Sequence, residues 1–172
     1  MSPLRVRGCL RIAQGLLLIV LGVFRPAFAH DDPFILESDA GWTAAERKAG
    51  HEQRLAMSAV KQLAAINTGL QELAQRDTGA CRWMNQITGP ETLADQVRAF
   101  DGNPAIKAVI EAERMSVRDY LLTLHAASEA AISVHAAEHH IDVAVAASAT
   151  NVAFYRQHRV EIERLLDAPD PC

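Results

Sequence analysis

A long apolar helix in the second half of the chain constrains the fold more than any other feature. Asn103 followed by Pro104 is the order that opens a helix, because asparagine caps the first turn and proline already has its backbone angle. Ser116 stands three residues before Asp119, which predicts that a second, longer helix begins at Val117. Such a helix must bury its apolar face against neighbours, so we expect it at the centre of a small bundle.

Two other segments have helical patterns. Thr43 with Glu46 forms a capping box and predicts one continuous helix to about Arg76. A last helix is expected over Asn151–Leu166. The first of these helices carries a heptad-like seam, which consists of Leu55, Ala59, Leu63, Ile66, Leu70 and Leu73. We expect Leu121 and Leu124 of the central helix to pack on this seam.

The connection between the first and central helices contains turn residues. Asp77-Thr78-Gly79 is expected to end the first helix, Cys81–Gly89 to form a loop, and Pro90 to begin a short helix through Phe100. Strand signals are absent, since apolar and polar residues do not alternate and aromatic residues are 5% of the chain. The sequence predicts an all-α fold, a small bundle of about four to five helices.

The first 29 residues have the pattern of a cleaved signal peptide. A run of apolar residues, Ile12 to Phe24, follows a positively charged start and precedes the cleavage motif Ala27-Phe28-Ala29. A membrane anchor needs about 20 apolar residues, more than this run provides. We therefore expect a signal peptide over 1–29, an extended arm over 30–42, a helical domain over 43–172, and a periplasmic or secreted protein.

Removal of the leader makes the protein clearly acidic. The chain has 17 Lys and Arg against 21 Asp and Glu, and four of the arginines lie in the leader. The mature chain keeps 13 basic and 21 acidic side chains, a net charge of −8 with histidine neutral. This balance argues against nucleic acid as a partner, and cleavage leaves no stable membrane anchor.

Two cysteines, Cys81 and Cys172, remain after processing. Export implies an oxidising compartment, which favours a disulfide between them. Two independent thiols are the alternative, because spacing alone does not show that they lie close together.

Part of the chain resembles a family of small exported bacterial helical proteins. The shared features are Asn103-Pro104, the helix opening Ser116-Val117-Arg118-Asp119-Tyr120, and the late segment Asn151-Val152-Ala153-Phe154-Tyr155. The resemblance covers about Leu93–Leu166. It implies an exported, all-helical architecture, and it implies no catalytic residues because the family has no activity known to us.

A histidine-rich helix end is a candidate metal site. His135 and His139 are four residues apart and share a helix face, with Glu138 beside them. Imidazole pairs bind Zn²⁺, Cu²⁺ or Ni²⁺, and His125 and His140 extend the cluster. The alternative is a solvated helix end whose histidines complement the helix dipole. The same string matches the H-x-x-E-H motif of inverted zinc peptidases, but the chain lacks the strands that usually frame such a cleft.

Other cofactor sites have weaker support in the sequence. Covalent haem is excluded by the absence of a C-x-x-C-H motif. Non-covalent haem would need inward-facing axial ligands, for which the candidates are Met57, Met115, His51 and His125. His30 at the new N-terminus offers an amine and a ring nitrogen to copper, although a solvated chain end is the simpler interpretation.

A small-ligand pocket is expected if the central and last helices face each other. Its lining would be Tyr120, His125, Asn151 and Tyr155. The alternative is architectural: Asn151 caps the last helix, and the tyrosines are packed side chains whose hydroxyls need partners.

The pattern favours a non-enzymatic exported protein that binds a partner protein or a small ligand. A metal-binding or metal-buffering protein that uses the histidine cluster is the alternative. An enzyme ranks third, because the sequence contains no Ser/His/Asp series, Gly-rich phosphate loop or Cys/His nucleophile pair.

Overall fold

The computed structural model describes residues 41–86, 92–141 and 147–166, and the regular structure in these residues is entirely helical. The expected all-α class is therefore confirmed. The helices are α1 Ala44–Glu52, α2 Met57–Arg76, α3 Thr78–Gln86, α4 Leu93–Asp101, α5 Pro104–Ala112, α6 Val117–His139 and α7 Ala149–Leu166. The described residues thus contain seven helices, more than the four to five that we expected. The predicted leader, most of the predicted arm, Gly89, Pro90 and Cys172 lie outside the described residues.

Helix α6 is the centre of the bundle. It packs against α1, α2, α4, α5 and α7. Its residues 125–132 are all buried, including the polar side chains of His125, Ser128 and Glu129, so it has no solvated face over two turns. Many of these residues are alanines, whose small side chains allow neighbouring helices to approach closely.

The core is one cluster of apolar side chains around α6. The largest side chains that are fully buried in it include Leu63, Ile66, Leu93, Ile106, Ile110 and Ile162. Leu121 is buried in this cluster, whereas Leu124 is only partly buried and packs against it. None of the helices in the described residues is long and apolar enough to cross a membrane.

Helices α5 and α6 begin after the capping residues that the sequence predicts, Asn103 and Ser116. The side chain of Asn103 accepts a hydrogen bond from the amide of Ile106 at 3.3 Å. Ser116 Oγ accepts one from the amide of Asp119 at 3.0 Å, and α6 begins at Val117 as predicted. These predictions succeed because capping depends on residues within one turn of each other.

The expected continuous helix from Thr43 to Arg76 is wrong, because residues 53–56 are not helical. The side chain of Asn151, in α7, stabilises this non-helical segment through two hydrogen bonds to its backbone. Its amide nitrogen donates to the carbonyl of Gln53 at 2.8 Å, and its oxygen accepts from the amide of Leu55 at 3.0 Å. Because a residue about 100 positions away supplies these bonds, the helical pattern of the segment does not reveal the break.

The expected loop at Cys81–Gly89 is largely the helix α3. Asp77 ends α2, and its carboxylate also accepts a hydrogen bond from the amide of Gly79 at 2.7 Å. The carbonyl of Asp77 accepts from the amide of Cys81 at 3.1 Å. Asp77 is thus both a helix end and a helix start, since aspartate is a favoured N-cap.

The short helix expected from Pro90 begins instead at Leu93, where it forms α4. Thr92 caps it through a bond from the amide of Asp95 to Thr92 Oγ1 at 3.1 Å. The start of α4 is also linked to the start of α1. The carboxylate of Glu46 accepts hydrogen bonds from the amide of Thr43, before α1, and from the amide of Ala94, in α4. One carboxylate therefore satisfies backbone donors at the beginning of α1 and of α4.

Replacement of Asn151 by alanine should destabilise the fold by about 2–4 kcal/mol, because two backbone groups at the break lose their partner. Urea unfolding measures the difference. The Gln157→Ala variant, at an exposed position of the same helix, is the control and should stay within about 0.5 kcal/mol of wild type. Equal stability of the two variants would show that Asn151 does not hold the break.

Candidate functional site

A buried group of side chains joins the start of α1 to the middle of α6, and we call it the Trp42 cluster. It comprises His125 with its neighbours Trp42, Gly50 and Glu129, and Ser128, which lies three residues after His125 on α6. The rings of Trp42 and His125 lie 4.5 Å apart between centroids and are tilted by 36°. Each of these two residues is only 4% exposed.

Gly50 makes this contact feasible. A Cβ atom at position 50 would lie 2.7 Å from Cδ2 of His125 and 3.1 Å from Cζ3 of Trp42. Both distances are shorter than ordinary van der Waals contact. Glycine is unfavourable inside a helix, so its position here is explained by the close approach of the two rings.

Three polar atoms in the Trp42 cluster are buried without a hydrogen-bond partner. They are Nε1 of Trp42, Nδ1 of His125 and Oγ of Ser128. Ser128 lies three residues after His125 and therefore on the same face of α6. Each such atom costs about 1–3 kcal/mol of free energy if no partner is found, so each of the three needs an explanation.

Glu129 gives the cluster a carboxylate. Its Oε1 lies 3.4 Å from Nε2 of His125, and its side chain is 12% exposed. The contact is an ion pair when His125 is protonated, and otherwise the carboxylate is the only formal charge of the pair. The site therefore combines an imidazole, a hydroxyl and a carboxylate with the indole of Trp42, which offers both an N–H donor and an aromatic ring.

The other members of the expected pocket contact separate partners. Tyr120 is buried, its hydroxyl donates to Oδ1 of Asn67 at 3.3 Å, and burial raises its pKa. Asn151 holds the break between α1 and α2, and the hydroxyl of Ser148 caps the amide of Asn151 at 3.2 Å. The expected capping role of Asn151 at the last helix therefore falls to Ser148.

Tyr155 belongs to a polar network at the other end of α6. Its hydroxyl donates to Oε1 of Glu163 at 3.4 Å, and burial, with the charge of Glu163, raises the pKa of Tyr155 to about 12. Nε of Arg159 donates to the same oxygen at 2.7 Å. These contacts give both tyrosines an architectural role, and a pocket shared by the four residues stays a prediction.

The histidine-rich end of α6 brings two imidazoles together. The rings of His135 and His139 lie 4.3 Å apart between centroids. Glu138, the expected third ligand, instead accepts from Nη1 of Arg159 through both carboxylate oxygens, at 2.7 and 2.8 Å. His140 follows in the left-handed conformation with φ of 55° and is exposed.

At this end of α6, Arg159 and partial burial shift the pKa values of Glu138 and His135. The hydrogen bonds of Arg159 lower the pKa of Glu138. The pKa of His135 is also lowered, first by partial burial, then by the neighbouring His139 and by Arg159, against the opposing effect of Glu138. Over the three described ranges, no group of three or more His, Cys, Asp or Glu side chains is arranged to hold a metal ion.

The remaining sequence candidates are dispersed. His125 is buried in the Trp42 cluster and lies more than two helical turns before His135. Of the haem-ligand candidates, Met115 is buried and His51 is exposed. Cys81 is buried in α3, and because Cys172 lies outside the described residues, the disulfide stays a prediction.

Sequence reasoning missed Ser128, Glu129 and Arg159 as site residues. A signal for the first two was present, because they follow His125 at spacings of three and four and so place three polar side chains on one face of an apolar helix. Arg159 had no such signal, since its partner Glu138 lies on another helix. No family model, curated protein or solved structure matches this chain.

Because of the close contact at Gly50, we expect Gly50→Ala to destabilise the protein, although alanine forms helices more readily than glycine. Propensity alone favours Gly50→Ala by up to about 1 kcal/mol, but the clash should make this variant less stable by about 1–3 kcal/mol. Urea unfolding of single and double variants tests the cause. Gly50→Ala should cost much less in a His125→Ala background, and an equal cost in both backgrounds would contradict the ring contact as its source.

Proposed function

We propose that this is an exported, non-enzymatic helical protein that binds a small polar ligand at the Trp42 cluster. The observation that carries this proposal is the presence of three buried polar atoms, on Trp42, His125 and Ser128, without hydrogen-bond partners. A ligand that bonds to them offsets their desolvation cost, and binding sites commonly keep such unpaired groups at the expense of stability.

Export is part of this proposal. The charged start, apolar run and Ala27-Phe28-Ala29 motif support cleavage before His30 and a periplasmic or secreted location. The resemblance over Leu93–Leu166 to small exported helical proteins supports the same location. Neither feature supports a catalytic role.

The chemistry of the cluster indicates the kind of ligand. The indole nitrogen of Trp42 is a donor only, so the ligand must offer an acceptor such as a carbonyl or hydroxyl oxygen. His125 and Ser128 each accept or donate. The carboxylate of Glu129 disfavours an anion beside it, so a neutral or cationic molecule with at least one oxygen acceptor fits best.

Entry requires α1 to move away from α6, because the cluster is buried between them. Helix α1 has nine residues and is followed by the non-helical residues 53–56. A short helix joined to the bundle through such a connection is the element most readily displaced.

Ser128→Ala separates a ligand site from an ordinary core. This variant removes a buried hydroxyl without a partner, so it should leave the ligand-free protein as stable as wild type or raise its stability by about 1 kcal/mol. It should also weaken ligand retention. Ser133→Ala, a half-buried serine of the same helix, is the control and should change neither property. A loss of more than about 1 kcal/mol in Ser128→Ala would show that its hydroxyl stabilises the fold.

Native mass spectrometry of the protein isolated from the cell envelope tests the proposed function directly. A small molecule should accompany the wild-type protein and be reduced in Ser128→Ala. The same molecule should change the fluorescence of Trp42 in a Trp83→Phe background, because the indole donates to it. A chain that carries no small molecule, and whose Trp42 fluorescence and melting temperature do not respond to the small-molecule fraction of the envelope, would overturn the proposal.

A further inference from the structure

The exposed end of α6 is independent of the Trp42 cluster and has its own chemistry. His135 and His139 are four residues apart on the same face, with ring centroids separated by 4.3 Å. Two imidazoles that bind one ion at about a right angle, with metal–nitrogen bonds of about 2 Å, place their centroids roughly 4–5 Å apart. The observed separation of 4.3 Å falls within this range.

The position on the helix also favours a cation. These residues occupy the last turn of α6, which ends at His139. The last turn of a helix carries partial negative charge from carbonyl groups that lack intrahelical partners. His139 is exposed and His135 is partly buried, so an ion from solvent can reach the pair.

Arg159 restrains the third potential ligand. Glu138 lies three residues after His135 and so on the same side of the helix, but both of its carboxylate oxygens are bonded to Nη1 of Arg159. Arg159 is itself fixed by its bond to Glu163 at 2.7 Å. A guanidinium in this position both occupies the carboxylate and places a positive charge close to the two imidazoles.

We propose that His135 and His139 form a two-imidazole site for a divalent transition-metal ion, and that Arg159 limits its affinity by holding Glu138. Water completes the coordination in the wild-type protein. When Arg159 is removed, Glu138 becomes the third protein ligand.

Titration of the whole mature protein with Cu²⁺ alone tests the pair, because Cu²⁺ has the highest affinity for nitrogen ligands among the divalent first-row ions. His139→Ala should lower the affinity of this site at least about tenfold, whereas His140→Ala, at the next and exposed position, should change it less than about twofold. All variants share the same N-terminus, so any binding by His30 is common to them.

Location is read from the NMR signals of the histidine rings. Substoichiometric Cu²⁺ should broaden the signals of His135 and His139 together in the wild-type protein. Unchanged affinity in His139→Ala, or broadening confined to other histidines, would overturn the site.

The restraint by Arg159 is tested in the same titration. Arg159→Gln should raise the affinity about tenfold, and the double variant Arg159→Gln/Glu138→Gln should lose that gain. Arg156→Gln removes the same charge from an exposed position of α7 and is the matched control. If Arg159→Gln gains no more affinity than Arg156→Gln, or if the double variant keeps the gain, Arg159 does not act by holding Glu138.

Discussion

The burial of α6 on nearly every side is the constraint on which the rest of the structure depends. Five other helices pack against it, and residues 125–132 leave no face for solvent. Surrounding one helix in this way requires small side chains, and α6 provides many alanines. It also means that any polar residue in the middle of α6 is buried, whatever its role. The polar atoms of His125 and Ser128 are buried for this reason, and their lack of partners makes them candidates for function.

The two candidate sites follow from where each lies along this helix. The Trp42 cluster is in the fully enclosed middle, where unpaired polar atoms are costly and a ligand gains most by bonding to them. The histidine pair is in the last turn, where α6 emerges into solvent and Glu138 becomes exposed. Our two proposals therefore give histidine two roles: a buried hydrogen-bonding group for a ligand at position 125, and a metal-binding pair at positions 135 and 139.

Features that depend on neighbouring residues could be predicted from the sequence. The caps at Asn103 and Ser116 were predicted, as was the all-α class, because each depends on residues within a turn or on a repeating pattern. The break after α1 could not be, since it depends on Asn151 from the far end of the chain. The same reason applies to the site: His135 and His139 could be paired by their spacing, whereas the bond between Glu138 and Arg159 is a contact between two helices. The start of α3 was missed because Asp77 was interpreted only as the end of α2, whereas its carboxylate also caps α3.

Native-state hydrogen exchange of the backbone amides tests the central position of α6 most directly. If α6 is enclosed by its neighbours, the amides of residues 121–132 should exchange only through global unfolding, with the free energy of exchange equal to that from urea unfolding. The amides of α1, which is short and lies at the edge of the site, should exchange through smaller openings. Exchange of the α6 amides as fast as those of α1 would contradict the account, because it would show that the helix is not held by the rest of the bundle.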